Sequence, residues 1–222
     1  MAVGVLRWLR VPTDLIEIDQ QSPDGDALDR AADAIRAGRV VAIPTDALYA
    51  LVADPFSLRA VREVYRAKGR EINRALPMLV SDAMMVEELA REITPRFRLL
   101  ARKFWPGPLT MILQAAAGIP LRATGNTGRL GVRHAESRVV DGLLERLGQP
   151  VIATSANISG HPTCSSGIEV FGMMDGRVDL VLDGGFCGGV GATTIDISGS
   201  GWKVLKEGAV LTRELAECLD IE

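Results

Sequence analysis

Apolar residues in this chain follow two periods. In "SPDGDALDRAADAIRAG", Leu28, Ala31, Ala32 and Ile35 recur at helical spacing, polar residues from Ser22 to Asp26 open the segment, and Gly38 stops it, so a helix is predicted there. The same spacing joins Leu58, Val61, Val64 and Tyr65 and predicts a helix from Ser57 to Lys68. Short apolar runs bounded by turn residues predict buried strands in "RVVAIP", "PMLVS", "LTMIL" behind the turn "WPGP", "GRLGVR" and "PVIAT". Two helices between Ala83 and Phe104, one in "SRVVDGLLERLG" and a last one from Leu211 to Leu219 complete the helical set, with short strands near Leu180, Ile195 and Val204. Strands alternate with helices through the middle and crowd the end, which predicts an α/β sandwich on a mixed, twisted sheet. No repeat or long Pro/Gly/Ser linker interrupts residues 1–222, so they read as a single domain.

Composition narrows the function classes. The chain is 47% hydrophobic and 24% charged, as in ordinary soluble proteins, and its formal net charge of -3 lacks the footprint of a general nucleic-acid binder. Any anion site must therefore be local. No apolar run reaches the ~20 residues needed to span a bilayer, and Arg7 and Arg10 interrupt the N-terminal stretch before a signal-peptide core forms, so a cytoplasmic location is expected. Cys164, Cys187 and Cys218 are odd in number and widely spaced, which argues against a disulfide framework and a structural zinc site. With only His134 and His161 besides, no metal site built from protein ligands is expected.

Three stretches carry candidate chemistry. From Arg59 to Arg74, Arg59, Arg62, Arg66, Lys68, Arg70 and Arg74 face only Glu63 and Glu71. Such a run is either a solvated helix face or, beside Gly69, a turn that aims Lys68, Arg70 and Arg74 at one anion. In "VIATSANISG", Ser155 and Asn157 stand at the exit of a buried strand, where they either form a turn or hydrogen-bond a ligand. In "IPTDALYAL", Asp46 is placed to orient a ligand or cap the next element, and Tyr49 to stack on a ligand or fill the core. Neither a Walker loop, a dinucleotide fingerprint nor a nucleophile elbow occurs.

In this order the stretches resemble the YrdC-like family, the threonylcarbamoyl-AMP synthases. The family pattern runs P-T-D/E-T-x-Y/F-G-L, K-x-R and P-L, W-P-G-P-x-T, G-V-R, S-x-N-x-S-G and S/T-T-I/V-x-D. Here it stands as "PTDALYAL", "KGREINRAL", "WPGPLT", "GVRHAES", "SANISG" and "TTID", from roughly Gly38 to Val210. The resemblance implies a YrdC-like α/β sandwich with a concave ligand cleft. It also implies an enzyme, a nucleotidyltransferase, that makes L-threonylcarbamoyl-AMP and pyrophosphate from L-threonine, bicarbonate and ATP for the t6A37 modification of tRNA. By the same resemblance, Lys68 and Arg70 are catalytic and grip phosphate oxygens, and Ser155 and Asn157 hold the nucleotide from the opposite side. Arg74, Thr163 and Lys206 assist with the nucleotide. Tyr49, Arg133, Ala153 and Thr193 line the threonine pocket, Arg133 pairing with the carboxylate. A Mg2+ ion is expected on the ATP phosphates, the product passes to other tRNA-modification proteins, and a weak contact with tRNA is allowed.

The chain departs from the pattern at Ala47 for Thr, Ala50 for Gly, Glu71 and Ala135 where Pro is common, and Lys206 where Arg is common. Losing the hydroxyl at Ala47 removes one hydrogen bond, worth about 0.5–1.5 kcal/mol. A sister branch shares P-T-D-x-x-Y-A-L but lacks S-x-N, which is intact here. Longer synthases carry a further C-terminal domain, for which this chain is expected to be too short. Two competing readings are a non-catalytic RNA-binding module that uses the basic cluster and a related carbamoyl-adenylate-forming enzyme.

Overall fold

In the computed structural model, which describes residues 12–70 and 75–219, the elements run in chain order as follows. They are β1 (Asp14–Glu17), α1 (Gly25–Arg36), β2 (Val41–Ile43), β3 (Ala50–Ala53), α2 (Leu58–Lys68), β4 (Met78–Leu79), α3 (Ala83–Leu89) and α4 (Pro95–Phe104). After these come β5 (Leu109–Gln114), β6 (Arg129–Arg133), α5 (Arg138–Leu147), β7 (Val151–Ser155), α6 (Gly167–Met174), β8 (Leu180–Asp183), β9 (Thr193–Asp196), β10 (Lys203–Lys206) and α7 (Thr212–Leu219). The strands form one mixed sheet in the order β1-β8-β2-β3-β7-β4-β6-β5-β9-β10. The pairs β1/β8, β2/β8, β4/β6 and β5/β9 are parallel, and the others are antiparallel.

Period-two alternation assigns each strand residue to a face. Val41, Ile43, Val52, Val151, Leu180 and Leu182 turn toward α1 and α5. Ala42, Leu51, Ile152, Val181, Met111 and Val132 turn the other way, toward α2, α3, α4, α6 and α7. Both faces are therefore apolar, and helices cover both, as expected for an α/β sandwich. Side-chain caps start the helices where polar residues precede the periodic ones, with Asp24 on α1, Ser57 on α2, Thr94 before Pro95 on α4 and Ser137 on α5.

On their face, α1 and α5 leave part of the sheet open. Ala50, Thr110, Arg133, Ala153, Ser155 and Thr194 line the cleft that remains. Among the described residues no helix is long and apolar enough to cross a membrane. Three elements go beyond the sequence expectation: β1, β3 and α6.

Candidate active site

The two sequence blocks that carried candidate chemistry meet directly. Helix α2 ends at Lys68, and Gly69 turns the chain with a left-handed φ of 61°, a conformation open to glycine at little cost. Pairing of β3 with β7 sets Ser155 opposite Ala50, and the Ala156 N–H donates to the Tyr49 carbonyl, which fixes the exit of β7 beside the end of α2. Lys68 is 2% exposed. Its Nζ donates to the Ser155 carbonyl at 2.5 Å, Asn157 Oδ1 at 3.0 Å, the Asn157 carbonyl at 3.1 Å and Ser155 Oγ at 3.3 Å. Ser155 Oγ donates to Asn157 Oδ1 at 2.6 Å, and Asn157 Nδ2 to the carbonyls of His161 and Ile158.

The helix ends at Lys68 as expected, but two other expectations are corrected. Lys68 is buried instead of being aimed outward from a turn, and it joins Ser155 and Asn157 by contact instead of facing them across a gap. Burial pulls the ammonium pKa down to about 8, with the neighbouring Arg70 cation adding to the effect. Arg70 is partly exposed, its guanidinium carbon 5.3 Å from the centroid of the Tyr65 ring. Arg74 lies outside the described residues.

The open cleft beside this cluster has a volume of about 210 Å3. Ala153 lies on its floor, held by a 2.7 Å bond from its N–H to the Pro77 carbonyl; Thr163, Gly191, Ala192 and Lys206 stand around it. Arg133 reaches it from the end of β6. Its Nε donates to the Gly107 carbonyl at 3.1 Å and its Nη2 to Asp46 Oδ1 at 2.5 Å, both side chains being nearly buried. The arrangement offers cations for anionic groups, one of them a guanidinium already fixed in direction, and hydroxyls on the surrounding walls.

Two predicted pocket residues are placed differently. Thr193 is fully buried, and its hydroxyl donates to the Val210 carbonyl while accepting from the N–H groups of Gly208 and Val210. Strand alternation turns its neighbour Thr194 into the cleft instead. Tyr49 borders the cleft, but its ring is core; its hydroxyl donates to the Gly185 carbonyl and accepts from the Gly184 N–H, so it is not free to stack on a ligand. Sequence reading missed Thr110 and Thr194 on the cleft wall and the role of Asp46 as partner of Arg133. Strand parity would have found Thr194; nothing local pointed to the Asp46 contact.

A family model for Sua5, YciO and YrdC proteins, described as telomere recombination, matches residues 33–208. The threonylcarbamoyl-AMP synthase of Pyrococcus abyssi is 34% identical over 190 residues, which are 85% of this chain and 56% of that protein. The crystal structure of P. abyssi Sua5 complexed with L-threonine superposes with a TM-score of 0.89 at 32% identity, over 93% of this chain and 61% of that one. Escherichia coli YciO gives a TM-score of 0.84 at 25% identity, over 91% of this chain and 99% of its own. The chain thus spans little more than half the length of the P. abyssi synthase.

Proposed function

The chain belongs to the Sua5/YciO/YrdC family, and from that premise we propose that it makes L-threonylcarbamoyl-AMP from L-threonine, bicarbonate and ATP, with pyrophosphate as the leaving group and the adenylate serving the t6A37 modification of tRNA. The observation that carries this reading is the joining of Lys68 with Ser155 and Asn157 beside a cleft that Arg133 enters. Threonine's amine attacks the bicarbonate-derived carbon, water leaves, and an oxygen of the resulting carbamate attacks the α-phosphorus of ATP as pyrophosphate departs. No protein nucleophile is needed, so the chain's contribution is positioning and charge neutralisation.

In this reading Arg133 holds the threonine carboxylate, Arg70 and Lys206 meet phosphate oxygens, and the Ser155 and Thr163 hydroxyls orient the nucleotide. Lys68 acts mainly from beneath, keeping Ser155 and Asn157 in place while adding positive charge. Mg2+ carried on the triphosphate would spread its charge. The donor set at the cleft, hydroxyls and backbone carbonyls with no carboxylate among the described residues that line it, fits an ion held by phosphates and water. Product would pass to other tRNA-modification proteins in the cytoplasm.

Pyrophosphate release from ATP, measured with threonine and bicarbonate supplied separately and together, tests the reading. Release is expected only when both are present; release indifferent to threonine rejects it. Binding of RNA that weakens steeply with salt, with no turnover, would favour the RNA-binding module instead.

The state of Lys68 makes turnover pH-dependent. Below about 8 its ammonium presents three donors to four acceptors, whereas deprotonation turns a lone pair toward carbonyl oxygens and loosens the cluster. Rate is therefore expected to fall as pH rises through about 8, which a profile of kcat/KM against pH will check.

A further inference from the structure

Resting on the reading above, we propose that Asp46 is a positioning residue that fixes the Arg133 guanidinium for the substrate's α-carboxylate. Asp46 does not line the cleft, whereas Arg133 does, so Asp46 acts through the arginine. The guanidinium is gripped from two sides, by the Gly107 carbonyl on Nε and by Asp46 Oδ1 on Nη2. These bonds take one edge of the fork and leave further N–H groups for a planar, two-oxygen ligand at the cleft.

The turn that carries Asp46 is itself fixed. Thr45 Oγ1 donates to the Leu48 carbonyl at 2.6 Å and accepts from the Ala47 N–H at 3.2 Å, while the Gly189 N–H donates to the Ala47 carbonyl at 3.0 Å. A Cβ on Gly189 would lie 2.4 Å from that carbonyl oxygen, so the 189 loop presses directly on this turn. The second carboxylate oxygen, Asp46 Oδ2, is buried without a hydrogen-bond partner among the described residues. A desolvated acceptor of this kind is costly, and it is tolerated where the other oxygen performs a specific task. An arginine held in advance loses little side-chain entropy when a carboxylate arrives, which lowers KM for that ligand.

The test uses the purified full chain and pyrophosphate release. D46A is expected to raise KM for threonine about tenfold or more, with KM for ATP changed less than twofold, because only the carboxylate contact is disturbed. D46N keeps an oxygen acceptor for Nη2 without the charge and is expected to fall between wild type and D46A. Threonine methyl ester, which lacks the free carboxylate, should show no further loss of kcat/KM in D46A beyond twofold. A threonine KM within twofold of wild type in D46A, or a parallel rise in KM for ATP, overturns the proposal; should D46A fail to fold, the same criteria apply to D46N. Wild-type protein that releases no threonine-dependent pyrophosphate refutes the proposed function itself, a result distinct from an active wild type whose variants are unchanged.

Discussion

Replacing Lys68 by alanine is expected to cut threonine-dependent pyrophosphate release by about a thousandfold or more and to lower folding stability by about 1–3 kcal/mol. Two effects combine. The substitution removes a cation from the edge of a site proposed to bind a triphosphate, and it takes one donor each from the Ser155 carbonyl, which keeps the Asn157 N–H, from Asn157 Oδ1, which keeps the Ser155 hydroxyl, and from the Asn157 carbonyl. Buried acceptors left without donors each cost about 1–3 kcal/mol, reduced where water enters the space. Ser155 Oγ still donates to Asn157 Oδ1, and Asn157 Nδ2 still donates to the His161 carbonyl, so the loop keeps part of its shape and the protein folds. Denaturant titration and the pyrophosphate assay measure the two effects separately. A variant with near-normal turnover would remove Lys68 from the site.

Substituting Gly208 by alanine should lower stability by about 3 kcal/mol or more and the melting temperature by about 10 °C, because the added methyl has no space. Its Cβ would lie 1.9 Å from the Gly191 carbonyl oxygen and 2.7 Å from the Ala192 carbonyl carbon. Both are backbone atoms, so no rotamer change relieves the clash. The segment cannot easily withdraw either, since Thr193 binds Gly208 and Val210 and the Ala209 N–H donates to the Gly191 carbonyl. Relief must come from moving Gly191 and Ala192, both on the cleft wall, so activity should fall with stability. Gly199→Ala provides the contrast. Nothing lies within 4 Å of a Cβ there, and the expected change is about 0.5 kcal/mol or less. Thermal unfolding followed by circular dichroism compares the two.

Much of the fold was legible because its strongest signals are periodic. The stripes of α1, α2 and α5 and the apolar runs of β2 and β7 announce themselves, and their caps agree. The missed elements lack such signals. Strand β1 is four largely exposed residues whose strand geometry comes from pairing with β8, a partner more than 160 positions away. In β3, "ALVA" is apolar on both faces and directly follows a turn, so only its antiparallel partners β2 and β7 define it. Helix α6, "GIEVFGMM", is apolar almost all round and has two glycines, which blurs its stripe.

The site divides in a similar way. Its motif residues could be named from the chain, but their mode of contact could not. Whether Lys68 faces Ser155 across space or bonds to it depends on how β3 and β7 dock, and whether Thr193 or Thr194 lines the cleft depends on the parity of a single strand. The partnership of Asp46 and Arg133 joins positions 87 residues apart, which no local pattern encodes.

That separation bears on the order of events during synthesis. Lys68 and Asp46 leave the ribosome long before Ser155, Asn157 and Arg133, and the wall formed by Gly191, Ala192 and Lys206 emerges later still. Until β7 arrives, β3 offers an unpaired apolar edge and Lys68 has none of its four acceptors. The cleft is thus among the last parts of the molecule to form, and a nascent chain stalled before residue 190 would hold the binding motifs without the pocket that gives them a common target.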